Sequence, residues 1–531
     1  MTEFSDDQRG WRTVQSSNIE RGRLRLSASP RKLGQRGECK QSAGSERGPD
    51  RPLLDPQRLA DDLPEVVLGD RVPAGRDLGE EEILLDLPAE QQVHPRPHRR
   101  GLYGVPGRAR GAGGMITRVE ISGFRALKSI AIDLQDFQVF VGPNASGKST
   151  FFDALAFVRD VLRVDLKRAI TGDIRVGVPM RARDPRDISW KREGQPVEIA
   201  LTARVPESLR DSKEGFTHVR YELAVEVGND IRFRAETLWL TKGRHETVLP
   251  QRELFPIAQP KRDIITSRTP KGWRKVVSKT DGGNDYFRSE KSKWNNMFRL
   301  GPTKSALANL PEDQSRFPIA IWFKQLLMEG IYVLALNAES MRRSSMAGSP
   351  AGLLPDGSNL PWVVHALEEN DPEMLTLWVE HLRTSLPDIR AVHSRERPED
   401  RSRYLEVTYT NNLVAPSWLL SDGTLRMIAL TLIAYASSPP PLLLIEEPEN
   451  GIHPHAMEMV IQSLSSVYDS QVFCATHSPL ILSVLKAEQL LCFAKTEEGA
   501  VDVVAGDQHP ALKNWKAALH LGDLLAMGVL G

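Results

Sequence analysis

Two hydrophobic periods alternate along the chain from Met115 onward, and their order sketches a fold. Met115–Phe124 places Ile116, Val119 and Ile121 as the apolar positions of a first strand, and Ile130–Leu134 alternates as a half-buried second. Phe137–Val141 is a short unbroken apolar run, the mark of a strand buried on both faces. Phe151–Leu162 then changes period, with apolar residues at 151, 152, 155, 158, 161 and 162 predicting a helix. Pro196–Val205, Thr217–Val227 and Ile231–Leu240 alternate at period two and read as antiparallel strands. Further on, Phe317–Met328 predicts a helix, Gly330–Leu336 a strand, Trp362–Leu367 a helix and Tyr404–Tyr409 a strand. A helix from Leu420 to Tyr435 is followed by apolar strands at Pro441–Ile445 and from Gln471. The expected fold class is α/β, a mixed central sheet with flanking helices, an antiparallel β lobe and an inserted α/β segment.

Two stretches break the pattern. Residues 1–114 are rich in Arg, Gly, Pro, Asp and Glu and nearly lack aromatics, the composition of a disordered segment or of a non-native extension. A basic arm touching nucleic acid is the functional alternative. Because a clean first strand begins at Met115, synthesis is expected to start there. Residues 245–315 carry Lys261, Arg262, Arg268, Lys271, Arg274, Lys275, Lys279, Arg288, Lys291, Lys293, Arg299 and Lys304, interleaved with Trp273, Tyr286, Phe287, Trp294 and Phe298. Cations for phosphates and rings for stacking suit DNA, although a solvated face has the same composition.

Composition narrows the classes little. Lys+Arg and Asp+Glu stand at 69 each, so net charge favours no polyanionic partner. The 3 cysteines, Cys39, Cys474 and Cys492, have no metal-ligand or redox spacing. The densest apolar run, Met427–Ala436, falls well short of a membrane span, and the first residues lack a signal-peptide core. The expectation is a cytoplasmic protein with no membrane contact.

The chemistry sits at strand ends. Gly142-Pro143-Asn144-Ala145-Ser146-Gly147-Lys148-Ser149-Thr150 satisfies G-x-x-x-x-G-K-[ST] between a predicted strand and a predicted helix. Backbone N–H groups and the helix N-terminus would attract the phosphates of a nucleoside triphosphate. Lys148 would reach the β and γ phosphates and Ser149 would ligate Mg²⁺. The strand at Leu442–Ile445 runs into Glu446 and Glu447: the first to hold the metal through water, the second to orient and deprotonate the attacking water. His477 ends another core strand and is placed to sense the γ-phosphate. Ser421 is a good N-cap for the helix that follows it, and a helix start with small residues approaches phosphate closely.

Taken in order, a Walker A loop at Gly142–Ser149, a signature at Leu420–Thr424, a Walker B strand at Leu442–Glu447 and a switch histidine at His477 resemble the ABC-type ATPase heads of SMC, RecF and OLD proteins. Ile121-Ser-Gly-Phe-Arg125 is similar to the N-terminal strand end of those heads. Glu447-Pro-Glu-Asn-Gly-Ile-His-Pro454 is similar to the loop after Walker B in prokaryotic AAA-type ATPases with a RecF-like core. The resemblance covers about 115–245 and 330–531. It divides the chain into 1–114, an ATPase lobe at 115–245, an insertion at 246–330 and a second lobe at 331–531. It implies a homodimer closing around ATP, with Ser421 and Gly423 completing the neighbour's site. Glu446 departs from the Asp of many members, and Asp422 from the Gly of transporters; Gln195 is the candidate for the family's glutamine loop. The implied function is an ATP-hydrolysing switch acting with DNA or a partner effector in repair or phage defence. Rival readings are a transporter's nucleotide-binding subunit, a ring-forming motor and a nucleotide-sensing scaffold with little turnover.

Overall fold

The computed structural model of the chain describes residues 115–530 apart from 212–214, 229, 244–252, 261 and 513–520. The expectations for 1–114 and Lys261 therefore lie outside the described residues, as does the segment that the expected start at Met115 would exclude. The first part of the chain runs β1 (Ile116–Phe124), β2 (Leu127–Asp133), β3 (Phe137–Val141), α1 (Lys148–Arg163) and α2 (Leu166–Thr171). An antiparallel run follows: β4 (Val197–Arg204), β5 (His218–Val227), β6 (Ile231–Thr241), β7 (Arg274–Thr280), β8 (Asp285–Arg288) and β9 (Asn295–Phe298). The remainder is α3 (Pro318–Glu329), β10 (Ile331–Leu334), α4 (Ala338–Arg342), α5 (Leu360–Asn370), α6 (Pro372–Arg383), β11 (Ile389–Glu396), β12 (Arg403–Tyr409) and β13 (Val414–Pro416). It closes with α7 (Asp422–Leu432), β14 (Leu442–Glu446), α8 (Met457–Ser465), β15 (Gln471–Thr476), α9 (Pro479–Ser483), β16 (Leu490–Lys495), β17 (Val501–Ala505) and α10 (Leu521–Ala526).

Two sheets dominate. An eight-stranded sheet, β2-β1-β4-β5-β6-β7-β8-β9, is antiparallel throughout. A six-stranded sheet, β10-β14-β15-β3-β16-β17, is parallel except for its last strand. Its strands read as continuous apolar runs because helices and the first sheet cover both faces. Alternate residues of β3 feed separate cores: Phe140 joins the one shared with the eight-stranded sheet, whereas Val139 and Val141 join the one under α5–α8. Phe140 packs on Phe151 and Phe152 of α1 at 5.2 and 5.1 Å, on Phe473 at 5.6 Å and on Phe493 at 5.5 Å. That cluster locks the strand entering the phosphate loop to the helix leaving it. The mixed α/β fold class is thus present.

The segment expected as an insertion does not stand apart. β7, β8 and β9 extend the sheet begun by β1, β4, β5 and β6, and buried carboxylates staple the surrounding loops to it. Glu236 accepts hydrogen bonds from Tyr221 Oη at 2.8 Å, Ser305 Oγ at 2.6 Å, Ala306 N at 2.7 Å and Leu307 N at 3.0 Å. Glu222 accepts from Trp239 Nε1 and Thr266 N, both at 3.0 Å. Glu290 caps the start of α3, accepting from Ile319 N at 3.1 Å and Ala320 N at 2.8 Å where Phe317 has no capping side chain. Much of the basic and aromatic composition is consumed the same way. Lys279 is buried on Asp285 at 2.6 Å, and Arg274 donates to the Ser289 carbonyl at 2.7 Å. Lys275 covers the Trp239 ring, Trp273 and Trp294 pack edge-on against Trp239 and Phe317, and Phe287 is in the core. Arg268, Lys271, Arg288, Lys293, Arg299 and Lys304 remain exposed.

Candidate functional site

The carboxyl ends of β14, β15 and β3 fall side by side: Glu446 pairs with Ala475, and Thr476 with Val141. Three segments with the expected site residues leave the sheet there, at the edge where open α/β sheets bind their ligands. Gly142 turns at φ 150°, and an added Cβ would meet the Phe493 carbonyl oxygen at 2.2 Å. Gly147, at φ 105°, would place a Cβ 2.5 Å from Val501. Only glycine fits either position. Pro143, Asn144 and Ala145 form the exposed lip of the loop, with Ala145 also at positive φ. Ser146 Oγ is buried without a partner. Lys148 Nζ donates to the carbonyls of Gly142 at 2.6 Å and Pro143 at 3.0 Å. Burial lowers the Lys148 ammonium from its usual range, against the pull of Glu447, Glu446 and Glu449. Thr150 continues α1, which begins with no side-chain cap and so leaves its first N–H groups open.

Opposite the loop, Ser149 Oγ donates to Glu446 Oε2 at 2.9 Å. The bond brings together the hydroxyl that would ligate Mg²⁺ and the carboxylate that would hold it through water. Glu447 follows with φ 47°, a left-handed conformation uncommon outside glycine, and its N–H donates to the Ala475 carbonyl at 2.8 Å. One carboxylate oxygen accepts from Asn450 Nδ2 at 2.5 Å, and the other lies 3.5 Å from His477 Nδ1. Glu447 and His477 are both about half exposed, at 44% and 48% of their side chains. Behind them Thr476 Oγ1 donates to Glu449 Oε1 at 2.6 Å, and Glu449 Oε2 is buried without a partner. Oxygen donors converging with glycine cradles and unpartnered buried polar atoms fit a Mg²⁺–triphosphate.

The signature is a separate surface. Ser421 caps α7, its Oγ accepting from Thr424 N at 3.1 Å, and it is exposed. Among the described residues no hydrogen bond or ion pair joins Leu420–Thr424 to Gly142–Thr150 of the same chain. Gly423 has an immediate packing reason: a Cβ would lie 2.4 Å from the Gly451 carbonyl oxygen. The charge of Asp422 is matched by Arg342 of α4, whose guanidinium also donates to the Leu420 carbonyl at 3.1 Å. Arg342 went unread in the sequence, where Met341-Arg-Arg343 carried no signal of its partner. Gln195 is exposed just before β4 and bonds Glu193 at 3.0 Å, with no hydrogen bond to the phosphate loop.

The family model described as "AAA domain, putative AbiEii toxin, Type IV TA system" matches residues 137–483. Those limits run from the start of β3 to the end of α9 and enclose all four motifs. The chain belongs to this AAA family. Membership bears out the AAA family named in the expected resemblance. Among solved structures, this AAA chain is similar to an Smc head bound to the C-winged helix domain of ScpA, at 14% identity and TM-score 0.43, covering 73% of this chain and 96% of that one. It is also similar to an Smc head with an extended coiled coil, bound to the C-terminal domain of ScpA and derived from Pyrococcus furiosus, at 14% identity and TM-score 0.41, covering 74% and 96%. An SMC head from Thermotoga maritima matches at 10% identity and TM-score 0.33, covering 73% and 98%. No curated protein matches the chain. No helix among the described residues is long and apolar enough to cross a membrane.

Proposed function

We propose that the protein is an ATP-hydrolysing switch whose two copies close around ATP. The observation carrying this reading is the meeting of Lys148, Ser149, Glu446, Glu447 and His477 at the ends of three adjacent strands. Ser149 and Glu446 would hold Mg²⁺, which neutralises phosphate charge when bound. Lys148 would exchange its two carbonyl acceptors for phosphate oxygens, and the glycine turns would let the backbone N–H groups of 144–148 close on them. Glu447 would take the proton of the attacking water through the oxygen facing His477, since Asn450 holds the other. His477, beside it, would report the γ-phosphate.

The dimer reading is supported by what α7 leaves uncovered. Ser421 and Gly423 stand at a helix start that makes no bond to its own phosphate loop. Trp418 and Leu419 immediately before them are 50% and 70% exposed. A second copy's nucleotide and loop would cover that face. In this reading 115–245 and 331–531 are the two ATPase lobes, 246–330 is the extension of the first lobe's sheet, and the protein acts in the cytoplasm. The exposed Arg268, Lys271, Arg288, Lys293, Arg299 and Lys304 are the groups left to meet DNA or an acidic effector in repair or phage defence.

Turnover and light scattering in ATP, compared between the wild type and Glu447→Gln, test the proposal. Hydrolysis in the wild type, with dimers accumulating in the variant, is the expected result. Absent turnover in the wild type would leave a nucleotide-sensing scaffold, and equal dimer populations in both proteins would remove the switch.

A further inference from the structure

Glu447 is reached not only from the phosphate side but from α7, the helix that Ser421 starts. Arg426 lies on α7, and its Nη1 donates to the Asn450 carbonyl at 3.0 Å. On the same helix Gly423 sits against the Gly451 carbonyl so closely that a Cβ would lie 2.4 Å away. Asn450 then folds back on Glu447 twice. Its N–H donates to the Glu447 carbonyl at 3.0 Å, and its side-chain amide to the carboxylate at 2.5 Å. On its far side the N-terminal end of α7 is held to α4 by the Arg342–Asp422 pair. The helix start is therefore clamped between α4 and the loop that carries the carboxylate.

We infer that Arg426 and Asn450 are positioning residues that tie the N-terminal end of α7 to the Glu447 carboxylate, so that whatever seats on Ser421 sets the aim of Glu447 in the same chain. The inference rests on the proposed role of Glu447 in activating water. Its physical basis is the kind of contact at each step. A guanidinium on a carbonyl is a charge-assisted bond and fixes the Asn450 backbone. The Gly423–Gly451 approach is backbone on backbone, with no flexible side chain to absorb a displacement. Asn450 occupies one carboxylate oxygen and leaves the other free toward His477. Shifting α7 therefore rotates or releases a base whose useful geometry tolerates little error: a misplacement of about 1 Å costs on the order of 10²-fold in rate.

The test uses the full chain as wild type, Arg426→Ala, Arg426→Lys, Asn450→Ala and the double alanine variant. It measures kcat and KM for ATP, affinity for a fluorescent ATP analogue, and melting temperature. Both alanine variants should lose roughly 10–100-fold in kcat, with nucleotide affinity and melting temperature near those of the wild type. Arg426→Lys, which still offers a donor to the Asn450 carbonyl, should recover most of the rate. The double variant should be no slower than the worse single, as for residues acting as one unit. Unchanged kcat in Arg426→Ala, or losses that multiply in the double variant, would overturn the inference. Exposed Asn450 gives a variant that keeps its fold if Arg426→Ala does not. Should the wild type itself show no turnover, the role of Glu447 fails on its own. The tie is then read by hydrogen exchange at 447–452, which should accelerate in Arg426→Ala; equal exchange would refute it.

Discussion

The buried carboxylates of the eight-stranded sheet and the carboxylates at the end of β14 are the same functional group put to opposite use. Glu236 receives four donors and Glu222 four, from backbone, hydroxyl, indole and guanidinium groups. Their lone pairs are committed, and what they do is fasten loops. Glu446 and Glu447 stand at a strand end, with one side-chain donor each in Ser149 and Asn450, and face solvent. Their lone pairs are open to a metal or a water. Saturation by N–H and O–H donors, not burial alone, separates a carboxylate that holds structure from one available to chemistry.

Substitutions that remove each kind of carboxylate would sharpen this contrast. The largest effect is expected for Glu447→Gln: ATP turnover falls about 10²–10⁴-fold while nucleotide affinity and the urea midpoint stay close to wild type. A fall in stability instead would erase the distinction. Glu236→Ala should do the reverse, costing about 3–5 kcal/mol in urea unfolding because several buried donors lose their acceptor together. Protein that remains folded should still bind ATP.

Glu290 gives a subtler probe. Burial raises its carboxyl to about 7, against the pull of the Ala320 and Ile319 N–H groups. A carboxyl raised in the folded state binds a proton there more tightly than in the unfolded chain. Its contribution is therefore full below the unfolded value near 4.5 and is lost as pH rises through 7. Relative to Glu290→Gln, the wild type should lose on the order of 2–3 kcal/mol between pH 5 and 8, measured by urea midpoints across that range. A parallel pH dependence in the two proteins would contradict it. The smallest effect belongs to Asp422→Asn, which breaks the half-exposed Arg342 pair; stability should change by less than about 1 kcal/mol. A larger change would mean that this carboxylate too belongs to the fastening class.

The sequence disclosed these two classes unequally. The phosphate loop, the apolar runs of β3, β14 and β15, and the acidic end of β14 are legible because the residues that define each pattern are contiguous in the chain. The continuation of the first sheet through β7, β8 and β9 was not, because its alternation is interrupted by Gly282, Gly283 and a scatter of lysines whose partners cannot be read from spacing. Lys279 has the spacing of a phosphate ligand, but its ammonium is committed to Asp285. Arg342, Arg426 and Asn450 were missed for the same reason. Arg342 meets Asp422 across 80 residues and Arg426 meets Asn450 across 24, and only the fold supplies those distances.

The placement of β3 between strands made much later has a consequence for the chain as it is synthesised. Gln471, at the start of β15, bonds both the N–H and the carbonyl of Ile116 from 355 residues away. Translation at about 5–20 residues per second separates those residues by roughly 20–70 s. Through that interval Phe140, Phe151 and Phe152 have no Phe473 or Phe493 to pack against, and the phosphate loop has no floor. Nascent chains ending before β15 should therefore be sticky, chaperone-bound and blind to nucleotide, and acquire ATP affinity abruptly near the end of translation.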